Sequence, residues 1–203
     1  MAPPVPRSPR DRTLRHAPPP GVGGQRVGVQ VIADIDPARA WRLLQDLSLP
    51  HNYVPGIART EIMSELTRGV GAHRRVYEEK GGFLEETVIE WREGEGFVIR
   101  LHRGDKPMAP FTRAEFCYAL HPHGGDQTLI ELAIVFGMPW GTPGEKLGDW
   151  FIRPVMEKRL VQIAAGMKHF YETGMAAGDE DRKRFTPSVQ ALPGIGKTRA
   201  GRP

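Results

Sequence analysis

Phe83-Leu84-Glu85-Glu86-Thr87-Val88-Ile89-Glu90-Trp91-Arg92 is followed by Glu93-Gly94-Glu95-Gly96 and then by Phe97-Val98-Ile99-Arg100-Leu101-His102-Arg103. Alternation of period two on both sides of a glycine-rich turn is the pattern of paired strands with unlike faces. Four residues cannot hold a crossover helix, so the pair is predicted to be an antiparallel hairpin. The spacing places Phe83, Glu85, Thr87, Ile89 and Trp91 on one face and Leu84, Glu86, Val88, Glu90 and Arg92 on the other. In the second run Phe97, Ile99 and Leu101 oppose Val98, Arg100 and His102. One face of such a sheet is wet, and the other needs a cover.

The same reading extends in both directions. Ala58–Arg68 ends at Gly69-Val70-Gly71, and Ala72–Lys80 ends at Gly81-Gly82. After the loop Gly104–Pro110, Thr112–His121 turns at His123-Gly124-Gly125-Asp126 into Gln127–Met138. Upstream, Val27–Ile35 is a β-branched strand. Asp36-Pro37 then opens a helix of about ten residues, Ala38–Asp46, with Asp36 as cap and Pro37 at the first helical position. A second short helical piece, His51–Val54, must stop at Pro55-Gly56. Downstream, Thr142-Pro143-Gly144-Glu145 has the form of a capping box. The helix it opens carries Ile152, Met156, Leu160, Ile163, Met167 and Phe170 on one stripe and ends at Gly174. Pro154, inside that helix, predicts a kink or break in its first turns.

The 203 residues carry a net charge of +4, but the charge is unevenly placed. Residues 1–26 and 177–203 are rich in Arg and Pro or Gly and read as disordered basic tails, leaving an acidic domain over 27–176. The tails lack the interleaved aromatics that stack on bases, which argues against a nucleic-acid partner. The longest mostly apolar stretch, Leu129–Trp140, is broken by Glu131, Gly137 and Pro139 and is too short to span a membrane. One cysteine, Cys117, excludes an intrachain disulfide. With no apolar segment after the first arginines, a cytoplasmic location is expected.

The order is thus strand, two short helices, a run of antiparallel strands and a long C-terminal helix, an α+β arrangement. Asp36-Pro37-Ala38-Arg39-Ala40-Trp41-Arg42-Leu43-Leu44, Gly69-Val70-Gly71-Ala72-His73-Arg74-Arg75-Val76, Leu84–Trp91 and the closing helix together resemble the helix-grip superfamily SRPBCC. That group includes START lipid-transfer domains, birch-pollen-allergen-like proteins and the polyketide cyclase/dehydrase group, to which the likeness is strongest. The resemblance, over residues 27–176, implies a curved antiparallel sheet of about six or seven strands wrapped around the long helix. A lipid or polyketide-like ligand would sit between the two layers.

The face-by-face reading then names the candidate ligand contacts. From the sheet come Phe83, Glu85, Thr87, Ile89, Trp91, Ile99 and Leu101; from the short second helix Tyr53; and from the long helix Met156, Ile163 and Met167. Methionine suits an adaptable apolar wall. Arg75, Tyr77 and Arg103 could meet a carboxylate or carbonyl, and Trp140 could stand at an entrance. Glu85 is the candidate acid: if buried, its pKa would rise, whereas a one-residue slip would put Glu86 inside instead. The expected function is binding or transport of a hydrophobic small molecule. The alternatives are a cyclase or dehydratase in the same cavity, needing neither metal nor nucleotide, and a protein-interaction module without ligand.

Three motifs are set aside. The histidines at 51, 73, 102, 121, 123 and 169 lie on different elements without metal-ligand spacing. Residues 191–198 imitate a phosphate-binding loop without a strand to precede it, and Gly21-Val22-Gly23-Gly24 lies before the first strand rather than after one.

Overall fold

A computed structural model of the chain describes residues 25–192. Residues 1–24 and 193–203 lie outside the described residues, and with them almost all of the N-terminal tail, Gly21–Gly24 and most of the loop-like motif at 191–198. The chain begins with β1 (Gln25–Ala33), α1 (Pro37–Leu44) and a 3₁₀ turn, Pro50–Asn52. Then come β2 (Ile57–Ile62), β3 (His73–Glu78), β4 (Phe83–Arg92), β5 (Gly96–Arg103), the two-residue β6 (Lys106–Pro107), β7 (Arg113–Pro122) and β8 (Thr128–Gly137). It closes with α2 (Gly141–Leu147), a π-helical turn (Gly148–Ile152), α3 (Arg153–Thr173), α4 (Asp179–Phe185), a 3₁₀ turn (Thr186–Ser188) and β9 (Gln190–Ala191).

All strand pairs are antiparallel, in the order β2-β3-β4-β5-β7-β8-β1-β9, with β6 on β5. β1 and β2 therefore sit at opposite sides of the sheet, and α1 with its 3₁₀ turn carries the chain between them. The Asp36 carboxylate caps α1 by accepting from Arg39 N–H, and Pro37 occupies the first turn as read from sequence. α3 lies against β1 and β8 and buries Leu160, Ile163, Met167 and Phe170 in the core shared with Val29, Leu132 and Phe136. Gly174 ends it in the left-handed conformation (φ 76°).

Several expectations are corrected. The capping box at Thr142 does not form: α2 starts from Trp140, a non-glycine residue at φ 70°, with no side-chain cap. The predicted break appears as the π turn at 148–152, and Pro154 sits in the first turn of α3, where its missing N–H costs little. The segment after α3 is not all tail. α4, whose first turn Arg182 ties to Asp179 (2.8 Å), docks on α3 through His169, which faces Asp181 (3.7 Å) and the Phe185 ring (5.9 Å), and β9 pairs with β1. The outer face of the sheet is not uniformly wet either: Val98, Cys117, Ala133 and Val135 are buried there with Leu192, half-buried Ile89 packing alongside. Cys117 is sealed in this outer cluster, and burial pushes its thiol pKa up to about 12.

One close approach fixes where α3 lies. A Cβ on Gly166 would stand 2.3 Å from the Tyr53 carbonyl oxygen, so helix backbone and 3₁₀ turn touch directly. Gly166→Ala is therefore expected to lower stability by about 1–3 kcal/mol, the usual cost of overpacking, read as a shift in the urea midpoint. An unchanged midpoint would place α3 farther from the turn.

Candidate functional site

β3 and β4 are paired so that Arg74 stands directly across from Glu86, with Val76 across from Leu84. These four side chains face α3. The Arg74 side chain is 2% exposed and that of Glu86 11%. Arg74 Nε donates to Glu86 Oε2 (2.5 Å) and Nη1 to the Leu47 carbonyl (2.9 Å). Burial alone would lower the Arg74 pKa, but Glu86 outweighs it and the guanidinium is held above its ordinary value. Tyr53 and Tyr118 flank the pair, and the Tyr118 hydroxyl interacts with both Arg74 and Tyr53. Burial raises the Tyr53 pKa to about 12 and that of Tyr118 well above its usual range, so both remain protonated donors at neutral pH.

Arg74, Glu86 and Tyr118 form one wall of a cavity of about 270 Å³ between sheet and helix. The remaining wall is apolar: Leu84, Leu101, Phe116, Ile134, Met156 and Ile163. Exposed Val155, Glu78 and Arg159 mark where it reaches solvent. A concave apolar space with a few convergent polar groups is the usual form of a small-molecule site, and this volume lies just below the ~300–1,000 Å³ common for them. Among the described residues no group of three or more His, Cys, Asp or Glu is placed to hold a metal ion.

A sequence profile described as "Polyketide cyclase / dehydrase and lipid transport" matches residues 24–168. The chain belongs to this family. Among solved structures, Ara h 8.0201 superposes with a TM-score of 0.53 at 14% identity, over 71% of this chain and 98% of the other. A putative uncharacterised protein from Bacillus thuringiensis gives 0.52 at 13%, over 72% and 98%. At such identities the likeness speaks for the fold, the SRPBCC helix grip read from the sequence. No curated protein matches the chain.

Against this family fold the expected contacts divide into two groups. Leu101, Met156 and Ile163 line the cavity, and Tyr53, Trp91, Ile99 and Met167 lie in the core around it. Trp91 meets Trp41 edge-on (5.1 Å) and stacks on Phe97 (5.3 Å), and one carboxylate, Glu93, accepts from both indoles. Arg75, Tyr77, Phe83, Glu85, Thr87, Ile89 and Arg103 lie on the outer side instead. Arg75 covers the Phe83 ring at 4.3 Å, Arg103 donates to the Phe83 carbonyl, Tyr77 donates to Glu61, and Thr87 bonds His102. Glu85 is gripped there by Arg75 (2.8 Å) and by Gly104 N–H, which hold its carboxyl below the usual range; a raised pKa was expected only for an inward-facing Glu85. Trp140, 76% exposed, lines no part of the cavity.

The cause is a β-bulge. Ile89 has no partner in β5: Val88 pairs with Ile99 and Glu90 with Val98. The extra residue reverses the phase, so Leu84, Glu86 and Val88 face inward before the bulge and Trp91 after it. Simple alternation anchored on Trp91 therefore inverted the first half of β4 and, through pairing, β3. Arg74, Tyr118 and Leu84 were missed, and Glu86 was named only as the residue a one-residue slip would turn inward. The available signal was that Val76, Leu84 and Val88 share the parity of Arg74 and Glu86.

Two outcomes follow from the buried polar wall. Arg74→Met leaves Glu86 without its partner and is expected to cost about 3–5 kcal/mol in chemical denaturation, while adding Glu86→Leu restores most of the loss. A folded-state tyrosine pKa raised from 10.0 to about 12 stabilises the fold fully below pH 10, and that contribution disappears as pH rises through 12. Thermal melting midpoints should thus fall between those pH values, less steeply in Tyr53→Phe.

Proposed function

We propose that the protein binds a compact apolar or amphipathic small molecule between the sheet and α3. The carrying observation is the position of the Arg74–Glu86–Tyr118 group at the wall of an otherwise apolar hollow. Apolar contact supplies affinity, at roughly 25 cal/mol per Å² buried, and the polar wall orients a carbonyl or hydroxyl. The space suits a single ring system or short acyl chain better than a two-chain lipid. Membership in a family described by polyketide cyclisation, dehydration and lipid transport supports the same ligand chemistry.

Carriage is favoured over catalysis by the carboxylates. Glu86 is already engaged by Arg74, Glu85 is on the outer face, and Glu78 stands at the solvent-reaching edge, so the inner wall offers donors without a free carboxylate beside the ligand. Native mass spectrometry of the purified protein should show a bound apolar species, and decanoate or 1-anilinonaphthalene-8-sulfonate should bind the emptied protein. Met156→Trp, which puts an indole into the space, is expected to weaken binding by about tenfold, ~1.4 kcal/mol, with the melting temperature retained. An empty protein that binds neither probe would overturn the reading.

A further inference from the structure

The described chain exposes nine large apolar side chains, and four of them lie between residues 140 and 155: Trp140 (76%), Trp150 (81%), Phe151 (59%) and Val155 (59%). No other aromatic of the described residues is so exposed. Trp150 and Phe151 meet each other edge-on, at 6.1 Å, in the π turn. Trp140 holds a left-handed backbone conformation that L side chains adopt at a cost, yet buries almost nothing in return. Strain without packing is a mark of function. Val155 ties this patch to the cavity, because it is also part of the cavity wall.

Charge identifies the occupant. Residues 103–108 and 141–160, the segments that bring Met108, Val155 and Arg159 to the cavity, carry six basic side chains against four acidic ones, and Glu78 stands at the opening as well. The described chain as a whole carries 21 basic against 23 acidic, so these two segments are richer in positive charge than the rest of it. The chain enters the fold at Gln25, whose amide donates to the Glu145 carbonyl and packs at Gly148, beside Trp150. The 24 residues preceding Gln25 bring Arg7, Arg10, Arg12 and Arg15 against one acid, Asp11. A basic segment is thus tethered at the aromatic patch. Indole rings favour the boundary between headgroups and acyl chains, and lysines and arginines favour anionic headgroups. Two copies of this face would bring two such arginine-rich segments together.

We propose that the rim formed by Trp140, Trp150, Phe151 and Val155 docks on the surface of an anionic lipid bilayer, with the cavity mouth turned toward the membrane. The docking does not depend on the cavity being loaded; under the ligand reading it provides the source from which an apolar molecule enters. No helix of the described residues is long and apolar enough to cross a membrane, so the contact is peripheral.

The test uses the full chain and vesicles of phosphatidylcholine alone or mixed equally with phosphatidylglycerol. The protein should sediment with the mixed vesicles at low salt, release at high salt and ignore the neutral ones. Trp41 and Trp91 are packed inside, so a blue shift of tryptophan emission on binding reports Trp140 and Trp150. The double variant Trp150→Ser/Phe151→Ser should lose at least tenfold in vesicle affinity with unchanged melting temperature. Replacing Arg7, Arg10, Arg12 and Arg15 by Gln should weaken binding by roughly fivefold per arginine. No sedimentation with anionic vesicles, equal binding of the Ser variants, or a dimer that hides Trp150 and persists with vesicles would overturn the proposal.

Discussion

Arg74 and Glu86 stand opposite each other on paired strands, in a place where neither charge could remain alone. Removing a guanidinium from water is costly unless a carboxylate and further acceptors replace the solvent, and here Glu86 and the Leu47 carbonyl do so. The pair thereby sets which side of β3 and β4 turns inward. It also keeps that part of the interior from being filled as an aliphatic core would be. Leucines in these positions would interdigitate with Met156 and Ile163; a satisfied ion pair with two tyrosine hydroxyls leaves a polar wall and a space beside it.

The space persists because the layers are held apart and together at different points. At one end the backbone of Gly166 touches the turn at Tyr53, so α3 cannot move closer without a clash or farther without opening the core. At the other end the π turn changes the winding of the chain before α3 begins, and Val155 and Arg159 in the first turns of α3 stand at the opening. The sheet meanwhile is clamped to α1 by Glu93, which joins the two indoles of Trp41 and Trp91.

Much of this was legible in the residues. Period-two runs, glycine turns, the Asp36-Pro37 cap and the stripe from Ile152 to Phe170 each state a local preference that the tertiary structure kept. The misplaced sheet residues had one origin in β4, where a bulge at Ile89 reverses the side-chain phase without altering composition. Phe83 and Trp91 look like partners on one face, yet the first is held outside by Arg75 and Arg103 while the second is inside. The Thr142 capping signature failed because the left-handed step at Trp140–Gly141 starts the helix earlier. α4 was hidden because His169, through Asp181 and the Phe185 ring, holds it to α3, and no apolar stripe announces it.

The single thiol, shut beneath the outer apolar cluster with its ionisation suppressed, is inert toward disulfide exchange and alkylating reagents while the fold is closed. Its neighbours Val98, Ala133 and Val135 lie on β5 and β8, the strands either side of its own β7, and Leu192 closes over them from the C-terminal segment. Reaction at Cys117 therefore requires those strands or that cover to part, which makes the side chain a native clock for how often the middle of the sheet opens, with no label introduced.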